Sequence, residues 1–213
     1  MFATRLIGNE TKRLHADEWL SEIERMTPAA VIFDCDGTLV ESSDAHRRSM
    51  QTATREQGFD MPSHWYLERT GLDRLSLFQD FSAFAGESFD ISRAMETSIE
   101  CFADHVSSVR PIRETVRALQ VLKEQGFPVA VATNAEHEIA VQSLGATDLL
   151  HRIDALSTIS DGVQPKPSPQ LFELAARRLG VDAPDVCVFE DSEQGVQAAR
   201  AALMSVFHIN RCP

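Results

Sequence analysis

Asp34 and Asp36 stand two residues apart at the end of the apolar run "AAVIF", with Gly37 and Thr38 directly after them. Carboxylates placed this way have three chemical readings: a metal loop, a covalent nucleophile with its acid/base partner, or a polar turn closing a strand. The calcium-loop version of the first fails on spacing. Counted from Asp34 it needs glycine at the sixth position and glutamate at the twelfth, where the chain has Leu39 and Ala45. The rest of the chain separates the other readings.

Two more polar clusters end apolar runs: Thr133 and Asn134 after "VAVA", and Glu190 and Asp191 after "VCVF". Lys166, within "QPKPSP", directly precedes a helical pattern. The set holds carboxylates for a divalent cation, a hydroxyl and an amide, and one fixed positive charge. Such a kit suits phosphoryl transfer. Carboxylates from two strands can hold Mg²⁺, and the metal and a lysine offset charge on phosphoryl oxygens while a carboxylate attacks phosphorus. A second carboxyl can protonate the leaving oxygen and then deprotonate the incoming water.

The elements that must position these groups follow from pattern. "AAVIFD", "PVAVATN", "VCVFEDS" and "SVFHI" read as buried strands, and "IDALST" as a weaker one. Helical patterns fall between them. "RETVRALQVLKEQG" carries Val116, Leu119 and Leu122 on one face and stops at Gly126. "SPQLFELAARRLG" has Ser168 as N-cap, Pro169 in its first turn and Gly180 beyond its end, and "EHEIAVQSLG" stops at Gly145. Strands alternating with helices predict a parallel sheet covered on both faces, whose ligands bind beyond the carboxyl ends of its strands. All three polar clusters therefore meet at one edge.

From Ser43 to Arg110 no buried strand is evident, only helical stretches such as "DAHRRSMQTATREQG" and "RAMETSIECFADHV". This is an all-helical insert in an α/β domain, with Phe78, Phe81 and Phe84 expected in its core. Residues before Pro28 read as a polar lead-in with one peripheral helix, capped by Asp17 and apolar along Trp19, Leu20 and Ile23.

The chain resembles the haloacid dehalogenase superfamily phosphatases with a helical cap. Four signatures carry the likeness, in order: "DCDGT" (Asp34 to Thr38), Thr133–Asn134, Lys166 in "PKPSP", and "EDS" (Glu190 to Ser192). The likeness spans Ala29 to about Ile209 and implies a Rossmann-like core of residues 29–42 and 111–213, a cap of 43–110 and an extension of 1–28. It implies Asp34 as nucleophile, Asp36 as general acid/base with its backbone carbonyl on the metal, and Glu190 and Asp191 completing a Mg²⁺ site. Thr133 and Lys166 would hold the transferring phosphoryl group, with Asn134 beside the substrate. Members that remove halogen lack the second aspartate, so Asp36 points to phosphate chemistry. Within the superfamily, "EDSEQGVQAARAA", "PKPSPQLFELAARRLGV" and "SSVRPI" are similar to β-phosphoglucomutase-like and fructose-1-phosphatase-like proteins. By that looser likeness His46 and Arg74 of the cap contact sugar and phosphate. Departures are Leu203 for a glycine at a helix end, Arg113 for a glycine near the hinge, Glu41 for an aspartate, and Cys35 at a variable position.

The implied activity is Mg²⁺-dependent hydrolysis of a small phosphorylated metabolite, a sugar phosphate, through an aspartyl phosphate. A phosphomutase shares every core residue, returning the phosphoryl group to a sugar hydroxyl rather than to water. A non-catalytic phosphometabolite-binding protein is the reading from another class, and it would be expected to have lost Asp34, Asp36 or Lys166. Composition bounds the partners. A formal charge of −12 over 213 residues argues against nucleic acid. No apolar run approaches a membrane span and no leader pattern opens the chain. Cys35, Cys101, Cys187 and Cys212 are scattered without a CxxC pair, which suits a reducing cytoplasmic setting with free thiols rather than structural zinc. A monomer is the favoured state.

Overall fold

The computed structural model describes residues 1–8, 10–86 and 88–210. In chain order the elements are β1 (Phe2–Ile7), β2 (Glu10–His15), α1 (Trp19–Met26), β3 (Ala30–Phe33), β4 (Val40–Glu41) and α2 (Ser43–Arg55). They continue with α3 (Ser63–Leu67), α4 (Arg74–Ala85), α5 (Ile91–Glu100), α6 (Phe102–His105), β5 (Arg110–Pro111) and α7 (Arg113–Glu124). Last come β6 (Val129–Ala132), α8 (His137–Ala146), β7 (Ala155–Ser157), α9 (Gln170–Leu179), β8 (Val186–Glu190), α10 (Glu193–Ala201) and β9 (Ser205–Asn210).

The main sheet has the order β2-β1-β9-β8-β3-β6-β7, parallel from β9 to β7. Each central strand is buried on both faces, as its unbroken apolar sequence requires. Alternate residues feed opposite cores. Val31 and Phe33 face the side that takes α1, α7 and α8, while Ala30 and Ile32 face α9 and α10. On the first face Phe33, Phe189 and Phe207 stack across three neighbouring strands with centroids 4.8 Å apart at each step. Trp19 of α1 sets its edge on Phe189 at 5.5 Å. Truncating any of these buried rings to alanine would cost about 3–5 kcal/mol.

The N-terminal lead-in contains two strands that its polar composition did not suggest. β1 pairs antiparallel with both β2 and β9, lengthening the sheet past the last strand of the chain. Arg5 and Lys12 lie directly opposite one another in that hairpin, a like-charge cross-strand pair that by itself destabilises. Glu22 of α1 resolves the conflict. Its buried carboxylate accepts from Arg5, from Lys12 Nζ at 2.8 Å and from Arg25. The bond from Lys12, together with the charges of Arg5 and Arg25, outweighs its burial and holds the carboxyl below its ordinary range. Asp17 caps nothing: it lies inside a short 3-10 turn capped by His15, and Glu18 precedes α1.

The helical stretch between β4 and β5 has its own apolar cluster, including Met61, Phe78, Phe81 and Phe89. Phe84 is not part of it, being 60% exposed. The two crossings between core and insert are tied by a short antiparallel ribbon, Val40↔Pro111 and Glu41↔Arg110. Other helix ends differ from expectation. Pro169, not Ser168, is the N-cap of α9, and Gly145 lies inside α8, which runs on to Ala146. Leu203 takes the left-handed conformation (φ 63°) that a glycine would adopt without strain, with its side chain exposed. Of the cysteines, Cys35, Cys101 and Cys187 are unpaired and Cys212 lies outside the described residues. No helix among the described residues is long and apolar enough to cross a membrane.

Two substitutions test these points. Leu203→Gly should stabilise the protein by about 1 kcal/mol, read as a raised Tm. Glu22→Gln should lower stability at neutral pH by about 2 kcal/mol in urea titrations. Because the folded carboxyl is depressed, its contribution is present above the unfolded value of about 4.3 and disappears as pH falls through the folded one. The difference between wild type and Glu22→Gln should therefore shrink toward zero in acid.

Candidate active site

Register brings the polar clusters together. Phe33 pairs with Phe189 on one side and Val131 on the other, so Asp34, Glu190 and the Thr133–Asn134 turn emerge side by side at the carboxyl edge. The Asp34 amide donates to the Phe189 carbonyl at 2.9 Å, fixing the first residue of the loop against β8. Lys166 reaches in from the segment before α9. Its Nζ lies 2.6 Å from Asp34 Oδ1 and 2.7 Å from Glu190 Oε2, with the Phe172 ring centroid 4.7 Å away. Asn134 sets the height of that lysine: its Oδ1 accepts from the Lys166 amide at 2.8 Å, and its Nδ2 donates to the Lys166 carbonyl at 3.4 Å.

All three side chains of this knot are buried. Burial would push the Lys166 ammonium down, but Asp34 and Glu190 outweigh it and hold it above its usual value. Burial raises the Asp34 carboxyl well above its normal range, and Glu190 and Asp191 push it further, against the pull of Lys166. One ammonium thus faces more carboxylate than it can neutralise.

Asp34, Glu190 and Asp191 each present a ligand atom within 4.8 Å of the others. Oxygen donors at this density, with a charge deficit around them, fit a divalent cation that takes carboxylates. Two glycines make the cluster possible. A Cβ on Gly37, itself at φ 95°, would stand 2.1 Å from Asp191 Oδ2, and one on Gly195 would stand 1.9 Å from Glu190 Oε2. Glu190 Oε1 is spent on the amides of Asp191 and Ser192, both at 3.0 Å, and on the Ser192 hydroxyl at 2.9 Å. The Thr38 hydroxyl donates to Asp191 Oδ1 at 3.0 Å.

Asp36 points the other way, toward the insert. Its Oδ1 accepts from Ser42 Oγ at 2.5 Å and from His46 Nε2 at 3.1 Å, and its Oδ2 from Thr133 Oγ1 at 3.4 Å. Burial pushes the carboxyl up, yet His46 beside it, with Ser42 and Thr133, brings it below its ordinary value. Arg74 Nη2 lies 3.2 Å from His46 Nδ1, and since arginine only donates, His46 carries its proton on Nε2. Arg74 Nε donates to Glu136 Oε2 at 3.1 Å. A continuous row thus runs from the aspartate of the core, through the insert, back to a core carboxylate.

All nine residues singled out from the sequence line one cavity of about 600 Å³ between the sheet edge and the insert. Their neighbours qualify three of them. Both amide atoms of Asn134 hold the Lys166 backbone, both ring nitrogens of His46 are engaged with protein, and Arg74 is already ion-paired. Glu136, Ser42 and Thr38 were not anticipated. The first two lie within a few residues of recognised motifs, but nothing in the sequence says that Glu136 faces an arginine of the insert.

Residues 28–202 match the family model described as haloacid dehalogenase-like hydrolase. The fructose-1-phosphate phosphatase YqaB of Escherichia coli is 29% identical, covering 85% of this chain and 96% of that one. Hexitol phosphatase B of the same species is 30% identical, covering 82% of this chain and 80% of that one. Among solved structures, CbbY from Rhodobacter sphaeroides in complex with phosphate superposes with a TM-score of 0.77 at 24% identity, covering 84% of each chain. With the four motifs gathered at one sheet edge, this chain belongs to the haloacid dehalogenase-like hydrolases.

Proposed function

We propose that the protein is a Mg²⁺-dependent phosphatase acting on a small sugar phosphate, with Asp34 as its nucleophile. The observation that carries this reading is the buried knot of Lys166 between Asp34 and Glu190, at 2.6 and 2.7 Å, facing the second aspartate across one cavity. Phosphatase relatives that act on fructose 1-phosphate and on hexitol phosphates support the substrate class.

A carboxylate oxygen of Asp34 attacks phosphorus and the bond from phosphorus to the sugar oxygen breaks, leaving an aspartyl phosphate on Asp34. The sugar oxygen leaves with a proton from Asp36. Water then gives a proton back to Asp36 as its oxygen attacks phosphorus, the bond to Asp34 breaks, and inorganic phosphate departs. Lys166 and Thr133 steady the phosphoryl oxygens through this exchange. Asp34 and Asp191, with the Asp36 carbonyl and Glu190 adjoining them, would hold Mg²⁺. That ion, when bound, offsets the charge that keeps a carboxylate and a phosphoryl group apart. His46 and Ser42 aim Asp36, and the lowered carboxyl of Asp36 suits its role as base. Arrival of an anionic phosphoryl group beside it raises its proton affinity for the role as acid. The insert closes over the cavity and excludes bulk water.

Phosphate release from a panel of sugar and other small phosphates should require Mg²⁺ and be lost in Asp34→Asn. Activity that persists in Asp34→Asn, or is indifferent to the metal, would remove the covalent mechanism. Gly195→Ala offers a second test. Alanine suits the helical position, while the added methyl group displaces Glu190 from its buried partners. The expected result is a loss of kcat of roughly 100-fold or more, together with a lower Tm.

A further inference from the structure

Arg74 and Glu136 meet at the cavity wall, the arginine from α4 of the insert and the glutamate from the turn after β6 of the core. Both are buried, and each keeps one buried atom without a partner: Nη1 of Arg74 and Oε1 of Glu136. Resting on the phosphatase reading above, we infer that this pair makes its wall of the cavity a selector for a neutral, hydroxyl-bearing leaving group. Substrates with a second phosphate or a carboxylate are rejected there.

Charge is the first reason. An arginine alone in a cleft would attract a distal anion, but here its charge is matched by Glu136 at 3.1 Å. Among the described residues, no other cation on the wall is spare. Lys166 faces Asp34 and Glu190, and Arg69 lies 3.5 Å from both Asp80 and Glu68. Seven carboxylates against three cationic side chains line the cavity among the described residues. A divalent ion and one phosphoryl group largely cancel, leaving an acidic surround that repels any further anion.

Hydrogen-bond chemistry is the second. Nη1 can only donate and Oε1 can only accept, so a group satisfying both must do the reverse at each. Hydroxyls do so, since a hydroxyl oxygen can accept from Nη1 and a hydroxyl proton can go to Oε1. A phosphate dianion or a carboxylate has no proton for Glu136 and would leave that oxygen facing another anion. A hydrogen-bonding site built this way discriminates strongly because the wrong ligand leaves buried groups unpaired. Sugars and sugar alcohols with one phosphate meet the requirement.

Calorimetry on Asp34→Asn in Mg²⁺, with fructose 1-phosphate and fructose 1,6-bisphosphate as probes, reads this preference without turnover. It therefore stays readable even if the wild type hydrolyses neither compound. The monophosphate should bind roughly tenfold or more tightly than the bisphosphate. In the Asp34→Asn background, Glu136→Gln, which frees the arginine charge, should move that ratio roughly tenfold or more toward the bisphosphate, while Glu136→Asp should keep it near the parent value. Equal or tighter binding of the bisphosphate by the parent, or a ratio unmoved by Glu136→Gln, would overturn the inference. Loss of the phosphatase reading would register separately, as wild-type protein that releases no phosphate from any compound in the panel.

Discussion

A single ammonium, Nζ of Lys166, lies between carboxylates that emerge from two adjacent strands. Removing it would leave Asp34 and Glu190 buried side by side with nothing between them, an arrangement that costs several kcal/mol per uncompensated charge. Much of the surrounding structure serves this contact. Asn134 fixes the lysine backbone, the Phe172 ring lies beneath the ammonium, and Gly195 leaves room for Glu190 to turn toward it. The contact is also incomplete, since one positive charge cannot balance Asp34, Glu190 and Asp191 together. Stability and chemistry pull on the same deficit, because the crowding of carboxylates around one ammonium is what suits the cluster to a hard cation.

The insert meets the core through polar contacts at this edge. His46, on α2, reaches Asp36, and Arg74, on α4, reaches both His46 and Glu136. The orientation of the Asp36 carboxylate therefore depends on the insert being in place. The insert also has its own aromatic cluster and a two-residue ribbon at its root, but Ala45, Phe102 and Val109 belong to the same buried cluster as Phe33 and Val131. Any shift of the insert reaches Asp36 through the row of hydrogen bonds at His46.

Much of this was legible in the sequence because strand-end chemistry is local. Asp34, Thr133 and Glu190 follow apolar runs whose burial forces them into a parallel sheet, and parallelism alone carries their ends to one edge. Lys166 was legible from its place just ahead of a helical pattern, and its role only by likeness, since a lysine among prolines has no periodicity to place it. The hairpin of residues 2–15 was not legible. Its strands carry Thr4, Arg5, Thr11, Lys12 and Arg13, and only Ala3 and Leu14 are buried, so no apolar alternation marks them. What makes them strands is the open edge of β9, distant in the chain, and the carboxylate of Glu22 on the helix that follows. Glu136 was missed for the same reason: its partner is brought by another part of the fold. Gly145 and Ser168 show the smaller error, in which sound end-signals missed the helix boundary by about one residue.

The pairing of β1 with β9 has a consequence for how the chain assembles. Phe2 lies against Asn210 and Leu6 against Val206, so the first strand described bonds to the last. Until β9 is in place the hairpin has no edge to join, while β8, which β9 flanks, exposes a row of unpaired amides and carbonyls. Closure of the sheet there is a contact of very long sequence separation, and such contacts form late. The hairpin must therefore stay soluble until that closure. The threonines, arginines and lysine that hid these strands from pattern are well suited to that wait.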